Sequence, residues 1–398
     1  MNSKNKKIIK ERMFTMNLKN KKIFSRIAAG VMTVAMAITL LPGTMKTVNA
    51  EPTAPGTAAK PVESASLDVT LYKRAKVYAP NTTFEFTVTN LTAAKAKETN
   101  NEEDLVPAFQ DAPAEAVTPG TITLTPTDEE LDNTSITKKL TFTLNKTKFT
   151  AMGTYRYEVK QKNVGYEGIT YDEDTRYLDV TVATDGTTFY IESAQLISYK
   201  TGTRAKSGAF VNTYGVKPDP TNPVPDGTVN DLVISKKVTG NFGDRTEKFA
   251  FTITITGAEG ENYYLEKLTG DPVLSKKTII SKGETVTIKL SDGDSVKIYG
   301  LTKGDKYTIK ELEATDYDTT HKTTVSGSDE AAVDVTGKDV IDGKIDAGNK
   351  LQTQEVAFTN NREGSATGFA SSYGPYALMV VLAGAVAFVL FRKRRAEY

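Results

Sequence analysis

Between Leu67 and Asn361 the chain is built of short runs in which every second residue is apolar, and a period of two leaves room for strands and little else. The first group of runs covers Leu67 to Lys73, Phe84 to Thr89, Thr121 to Thr125, Leu140 to Leu144, Tyr155 to Gln161, Tyr177 to Ala183 and Phe189 to Tyr199. The second covers Leu232 to Val238, Phe249 to Ile255, Glu284 to Leu290, Asp294 to Leu301, Lys306 to Leu312 and Glu355 to Asn361. Two Pro-rich stretches, Glu51 to Val62 and Val216 to Asn230, read as extended, semi-rigid linkers. The expected architecture is all-β: two tandem immunoglobulin-like sandwiches over residues 66–215 and 231–363.

The two segments repeat one another in order. Each opens on a strand ending in Lys and continues with F-x-F (Phe84 and Phe86; Phe249 and Phe251). A strand with a Gly shortly before a Tyr follows (Gly153 and Tyr157; Gly304 and Tyr307), and each segment closes with F-x-N (Phe210 and Asn212; Phe358 and Asn360).

Composition excludes several functions. With no Cys and one His, His321, the chain cannot hold a Cys nucleophile, a Cys-rich zinc site or a disulfide framework. The formal net charge of +1 hides a basic N-terminus, a basic C-terminus and an acidic body, and an acidic body with no basic stripe argues against nucleic acid as a partner. The acidic loops Thr99 to Gln110 and Asp334 to Lys350 lack the spacing of a calcium loop, so neither a metal nor a cofactor is expected.

Both ends read as export signals. Lys/Arg-rich residues up to Arg26, an apolar run from Ile27 to Leu41 and small residues at Val48 and Ala50 make residues 1–50 a signal peptide. At the other end the apolar run Tyr376 to Phe391 stops at Arg392, Lys393, Arg394 and Arg395, a marginal membrane span held by cytoplasmic positive charge. Just before it lies Gly364-Ser365-Ala366-Thr367-Gly368. This order of Thr-Gly, hydrophobic stretch and basic tail resembles the sorting signal of Gram-positive surface proteins, over residues 364–398. The resemblance implies that a sortase cuts between Thr367 and Gly368 and passes the Thr carbonyl to an amine. The Pro that usually precedes the Thr is absent, Ser365 and Ala366 standing in those places.

Three polar residues fall on apolar faces. Lys236 shares its alternation with Leu232, Ile234 and Val238; Glu311 follows Tyr307 and Ile309; Asn360 follows Val356 and Phe358. A buried ammonium or carboxylate loses charge rather than bear full desolvation. A neutral lysine is a nucleophile, and a protonated Glu beside a carboxamide can polarise it and relay a proton to leaving ammonia. The product is a Lys–Asn amide. The plainer alternative has Lys236 reaching to solvent from a strand end, Glu311 at the rim and Asn360 capping a turn.

The stretches LVISKKV with Gly240 and Asp244-Arg245, LSDGDSVKIYGLTKGDKYTIKE and the closing FTNN resemble the streptococcal pilin-type isopeptide linkage domain. GTYRYEVKQ, GITYDEDTRYLDVTV and FVNTYG resemble a second copy, and with the tail the whole is similar to a Gram-positive backbone pilin. That resemblance implies a Lys236–Asn360 bond catalysed by Glu311. It implies a Lys73–Asn212 bond in the first domain, where Gln161 occupies the catalytic position and cannot relay a proton. It also implies a polymer in which Thr367 is joined to a Lys shortly before the final strand of the first domain. Lys206 fits best, with Lys200 and Lys217 as alternatives. The implied partners are a sortase, further copies of the chain, peptidoglycan, tip or base pilins and host surface ligands. The implied location is the Gram-positive cell wall. A monomeric wall-anchored adhesin is the alternative reading; a surface hydrolase lacks any visible constellation of paired acids.

Overall fold

The computed structural model describes residues 61–364 except 101–107, 201–202, 220–221, 223, 270–277, 282, 313, 327–332, 337–339 and 346–350, together with residue 376 and residues 378–383. The expected signal peptide and the Thr367-Gly368 pair lie outside the described residues. Among the described residues no helix is long and apolar enough to cross a membrane; of the apolar tail only Tyr376 and residues 378–383 are described, as helix.

The alternation seen in sequence is the alternation of burial. In Ser135–Leu144, Ile136, Leu140, Phe142 and Leu144 are buried on one face with Lys138 half-buried among them, and Ser135, Thr137, Lys139, Thr141 and Thr143 are exposed on the other. Phe249–Thr256 behaves alike, with Phe249, Phe251, Ile253 and Ile255 inward.

Val62–Tyr398 is one compact unit, and its strands form two sandwiches in tandem. In the first, a five-stranded sheet runs in the order Val117–Pro119, Ser135–Leu144, Ser64–Lys73, Phe210–Tyr214, Ile169–Thr170. Its companion sheet runs Thr203–Lys206, Phe189–Lys200, Arg176–Thr184, Gly153–Gln161, Phe86–Asn90. In the second sandwich a seven-stranded sheet centres on Ser295–Thr302, Val229–Thr239 and Thr353–Asn361, opposite a four-stranded sheet of Thr285–Leu290, Phe249–Thr256, Lys306–Glu311 and Val340–Lys344. Leu232, Ile234, Phe251, Ile253, Ile298 and Phe358 belong to the core between the two.

In each sandwich the opening and closing strands are parallel neighbours: Ser64–Lys73 beside Phe210–Tyr214, and Val229–Thr239 beside Thr353–Asn361. Parallel neighbours need a crossover, and here the rest of the domain is that crossover. The chain therefore enters a sandwich at one end and leaves it at the other, so tension along the chain shears these two strands against each other.

The stretch expected as an extended linker is folded back. Val216 bridges Pro225, the Lys217 amide donates to the Val224 carbonyl at 2.6 Å, and strand geometry resumes at Val229, before the expected boundary. Pro225 sits in that bridge rather than in a spacer, because Val216 and Val229 are buried and hold the ends of the stretch on the body.

Polar contacts join the two sandwiches. The Arg74 guanidinium grips the buried Asp231 carboxylate at 2.8 and 3.2 Å, and Lys297 reaches the same carboxylate at 3.0 Å. Lys76 pairs with Glu266 at 2.7 Å. The Tyr166 hydroxyl donates to Glu261, and Tyr263 donates to both Glu261 and Asp305. Burial, then the neighbouring Glu261 charge, pushes the Asp305 carboxyl up to about 7.

Candidate intramolecular cross-link site

In the second sandwich three elements bring together the residues singled out from sequence. Lys236 comes from the opening strand, Asn360 from the parallel closing strand, and Glu311 from the facing sheet, and all three are buried. Register places Lys236 opposite Phe358 and Val238 opposite Asn360, so the lysine and the asparagine are diagonal neighbours on one face. The Lys236 ammonium donates to Glu311 Oε1 at 2.7 Å, and Asn360 Nδ2 donates to the same oxygen at 2.8 Å. One carboxylate oxygen thus holds both the lysine and the asparagine side chains.

The surroundings are aromatic. Lys236 Nζ lies 4.3 Å from the centre of the Phe249 ring and 5.7 Å from that of Phe251, whose ring packs edge-on against Phe358 at 5.0 Å. His321 flanks the far side of the site, 5.9 Å from Phe358. Burial lowers the Lys236 amine to about 8, working against the Glu311 hydrogen bond and charge that favour the ammonium. The neutral, nucleophilic amine is therefore more readily reached at pH 7 than at an ordinary lysine. Glu311 Oε2 and Asn360 Oδ1 are both buried without a hydrogen-bond partner.

The backbone around Lys236 is pinned. Its amide donates to the Asp294 carbonyl, its carbonyl accepts from Gly293, and the next inward residue, Val238, donates its amide to the Asp292 carboxylate. Gly240, at φ 87°, turns the chain immediately beyond, where a Cβ would collide with the Arg362 backbone of the departing closing strand.

The first sandwich is arranged differently. Asn212 and Gln161 do meet, exchanging hydrogen bonds through both amide groups at 2.9 and 3.2 Å. Lys73 is buried but does not reach them. Its ammonium donates to the carbonyls of Asn133 at 2.6 Å, Leu131 at 3.0 Å and Arg74 at 3.4 Å. Register explains this: Lys73 lies opposite Tyr214, while the residue opposite Asn212 is Leu71. The expectation of a Lys73–Asn212 pair is therefore corrected. Burial lowers the Lys73 amine to about 8, against the raising charges of Glu130 and Asp132.

Sequence reading missed the ionic group beside Asn212. Arg176 forks onto Asp172 at 2.8 and 3.0 Å, donates to the Ala209 carbonyl, and stacks 4.4 Å from the Phe210 ring. Asp172 in turn accepts from the Val211 amide, and its own amide donates to Asn212 Oδ1. A second buried pair, Arg156 and Asp179, lies on the other face of the companion sheet near the short helix Ala93–Glu98, with Arg156 donating to the Ala96 and Thr99 carbonyls. The segment DEDTR carried this signal, since an Arg on an apolar strand face needs a buried acid. Lys206 is exposed on the edge strand Thr203–Lys206. Lys217 is exposed as well. Among the described residues no group of His, Asp and Glu is placed to hold a metal ion.

Comparison with known proteins accounts for both sandwiches. Residues 69–215 match the Spy0128-like isopeptide containing domain, and residues 230–362 match a domain of unknown function, DUF7601. A pilin of Streptococcus pyogenes serotype M1 is 25% identical over 268 residues, covering 66% of this chain and 74% of the relative. The chain is similar to that pilin over about two thirds of its length. The pilus tip adhesin Cpa of Streptococcus pyogenes is 27% identical over 201 residues, half of this chain, and the match spans only 26% of the adhesin. The crystal structure of the major pilin from Streptococcus pyogenes matches 76% of this chain and all of its own with a TM-score of 0.51, at 24% identity, which establishes a shared fold.

Proposed function

We propose that this chain is the structural subunit of a covalently polymerised surface fibre, and that its second sandwich is closed by a self-catalysed Lys236–Asn360 amide. The observation that carries the reading is the buried Lys236–Glu311–Asn360 contact between first and last strands. The neutral Lys236 amine attacks Asn360 Cγ, while Glu311, protonated, donates to the carboxamide oxygen and stabilises the tetrahedral intermediate. Glu311 then carries a proton from the attacking nitrogen to Nδ2. The Cγ–Nδ2 bond breaks, ammonia leaves, and the Nζ–Cγ amide remains. No external reactant enters, so the chain is not an enzyme toward other molecules.

The bond lies across the strand pair that tension would shear, which suits a stretched fibre. Between copies, a sortase joins the Thr367 carbonyl to Lys206 of the next subunit, and the last copy is passed to peptidoglycan. Before that, the signal peptide directs export and the apolar tail retains the chain at the membrane. Exposure of Lys206 on an edge strand supports it as acceptor. A denaturing gel of cell-wall extracts tests the polymer: the parent shows a high-molecular-weight ladder and Lys206→Ala shows single subunits. An intact ladder in Lys206→Ala rejects that acceptor, and a single band from the parent favours the monomeric wall-anchored adhesin.

A further inference from the structure

The two sandwiches correspond, register by register, around their carboxamides. Glu311 lies opposite Phe251 and contacts Asn360; Gln161 lies opposite Phe86 and contacts Asn212. Phe251 packs on Phe358 with ring centres 5.0 Å apart, and Phe86 packs on Phe210 at the same separation. In the second sandwich the residue opposite that closing-strand Phe is Lys236; in the first it is Val69. Lys73 stands four residues farther along the strand, about 13 Å away at strand rise, with its amine satisfied by three carbonyls.

We infer that the first sandwich is not covalently closed, that Val69 is the position which decides this, and that a noncovalent cluster of Arg176, Asp172, Asn212 and Gln161 holds the strand ends instead. The inference rests on the proposed chemistry of the second sandwich and adds that this chain carries one amide bond, in the domain opposite to the one whose family is named for it. Four features of the site tell against a bond. Asn212 Oδ1 accepts from Gln161 and from the Asp172 amide, so its acceptor positions are filled by amide N–H groups that can polarise the carboxamide but cannot hand a proton to a leaving ammonia. Arg176 supplies the cation of the site, but a guanidinium stays protonated and is no nucleophile. Gln161 offers an amide where a proton relay requires a carboxyl group. Val69 and Leu71, both buried, fill the space before Asn212 with hydrocarbon.

Two substitutions restore the missing parts: Val69→Lys places an amine opposite Phe210, and Gln161→Glu places a relay beside Asn212. The bond formed is Nζ of residue 69 to Cγ of Asn212, the bond broken is Cγ–Nδ2, and the proton passes through residue 161 to the departing ammonia.

The test is the intact mass of the full exported chain. The expected deficit relative to the sequence is one ammonia for the parent, none for Glu311→Gln and two for Val69→Lys/Gln161→Glu. A deficit of two in the parent overturns the inference while sparing the proposed chemistry. A deficit of none in the parent overturns the proposed chemistry itself. A deficit of one that survives in Glu311→Gln puts the bond in the first sandwich and overturns both. Should the double variant not fold, the parent and Glu311→Gln masses decide the inference alone. A folded double variant with a deficit of one overturns the assignment to Val69.

Discussion

A chain closed covalently in one sandwich and not in the other has an asymmetric response to force. Pulled from its ends in a single-molecule force experiment, the second sandwich should not lengthen if the proposed Lys236–Asn360 amide short-circuits everything between those residues. The first can. From Ser64 to Tyr214 about 150 residues are released, at most about 3.5 Å each, so unfolding adds about 500 Å less the folded end separation of some 30 Å. The parent should therefore give one step of about 470 Å. Glu311→Gln, which cannot relay the proton, should add a second step of about 400 Å for the residues between Lys236 and Asn360. Moving the upstream handle to Lys206 should abolish the first step, since only the strand Phe210–Tyr214 and a few residues before it separate that lysine from the second sandwich. Tension in the proposed fibre would then bypass most of the first sandwich, which removes the mechanical need for a bond there. A parent that shows no step, or two, refutes the asymmetry.

Other consequences can be checked in solution. Glu311→Gln should destabilise the second sandwich by about 5 kcal/mol, the loop-entropy value for a closure of about 125 residues, and lower its calorimetric transition by about 20 °C. An unchanged transition would mean that no closure was lost. Arg176→Gln leaves Asp172 buried without its cation and should cost the first sandwich about 3–5 kcal/mol in denaturant titration, with no change in the mass deficit. Lys73 sets a pH dependence. Its folded-state value, lowered to about 8 against the ordinary 10.5, means that the folded chain binds fewer protons than the unfolded chain between those limits, so first-sandwich stability should rise as pH goes from about 8 to about 10.5. Lys73→Met should flatten that rise; an equal rise in the variant would exclude Lys73 as its source.

The period-two pattern was sufficient to read the sandwiches, and the face on which Lys236, Glu311 and Asn360 fall was sufficient to bring those three side chains together. Alternation fixes which face a side chain takes, but it is silent on how far along the neighbouring strand its partner lies. Lys73 has the same alternation as Val69 and Leu71, so it looked equivalent to Lys236, and only the pairing of Val69 with Phe210 separates them. Long-range register depends on how the whole intervening domain packs. The Arg176–Asp172 fork was hidden for another reason. Its two members are four residues apart, a spacing that on a regular strand puts them well apart, and they meet because the chain between the strands Ile169–Thr170 and Arg176–Thr184 turns back. The Pro-rich stretch after Tyr214 misled in the same way, since its valines mattered more than its prolines.

The most direct test of the account is high-resolution crystallographic density at the second site. The account predicts continuous density from Lys236 Nζ to Asn360 Cγ, planar about the new amide, with Asn360 Nδ2 gone and Glu311 hydrogen-bonded to the link. A free lysine amine beside an intact Asn360 carboxamide would contradict it.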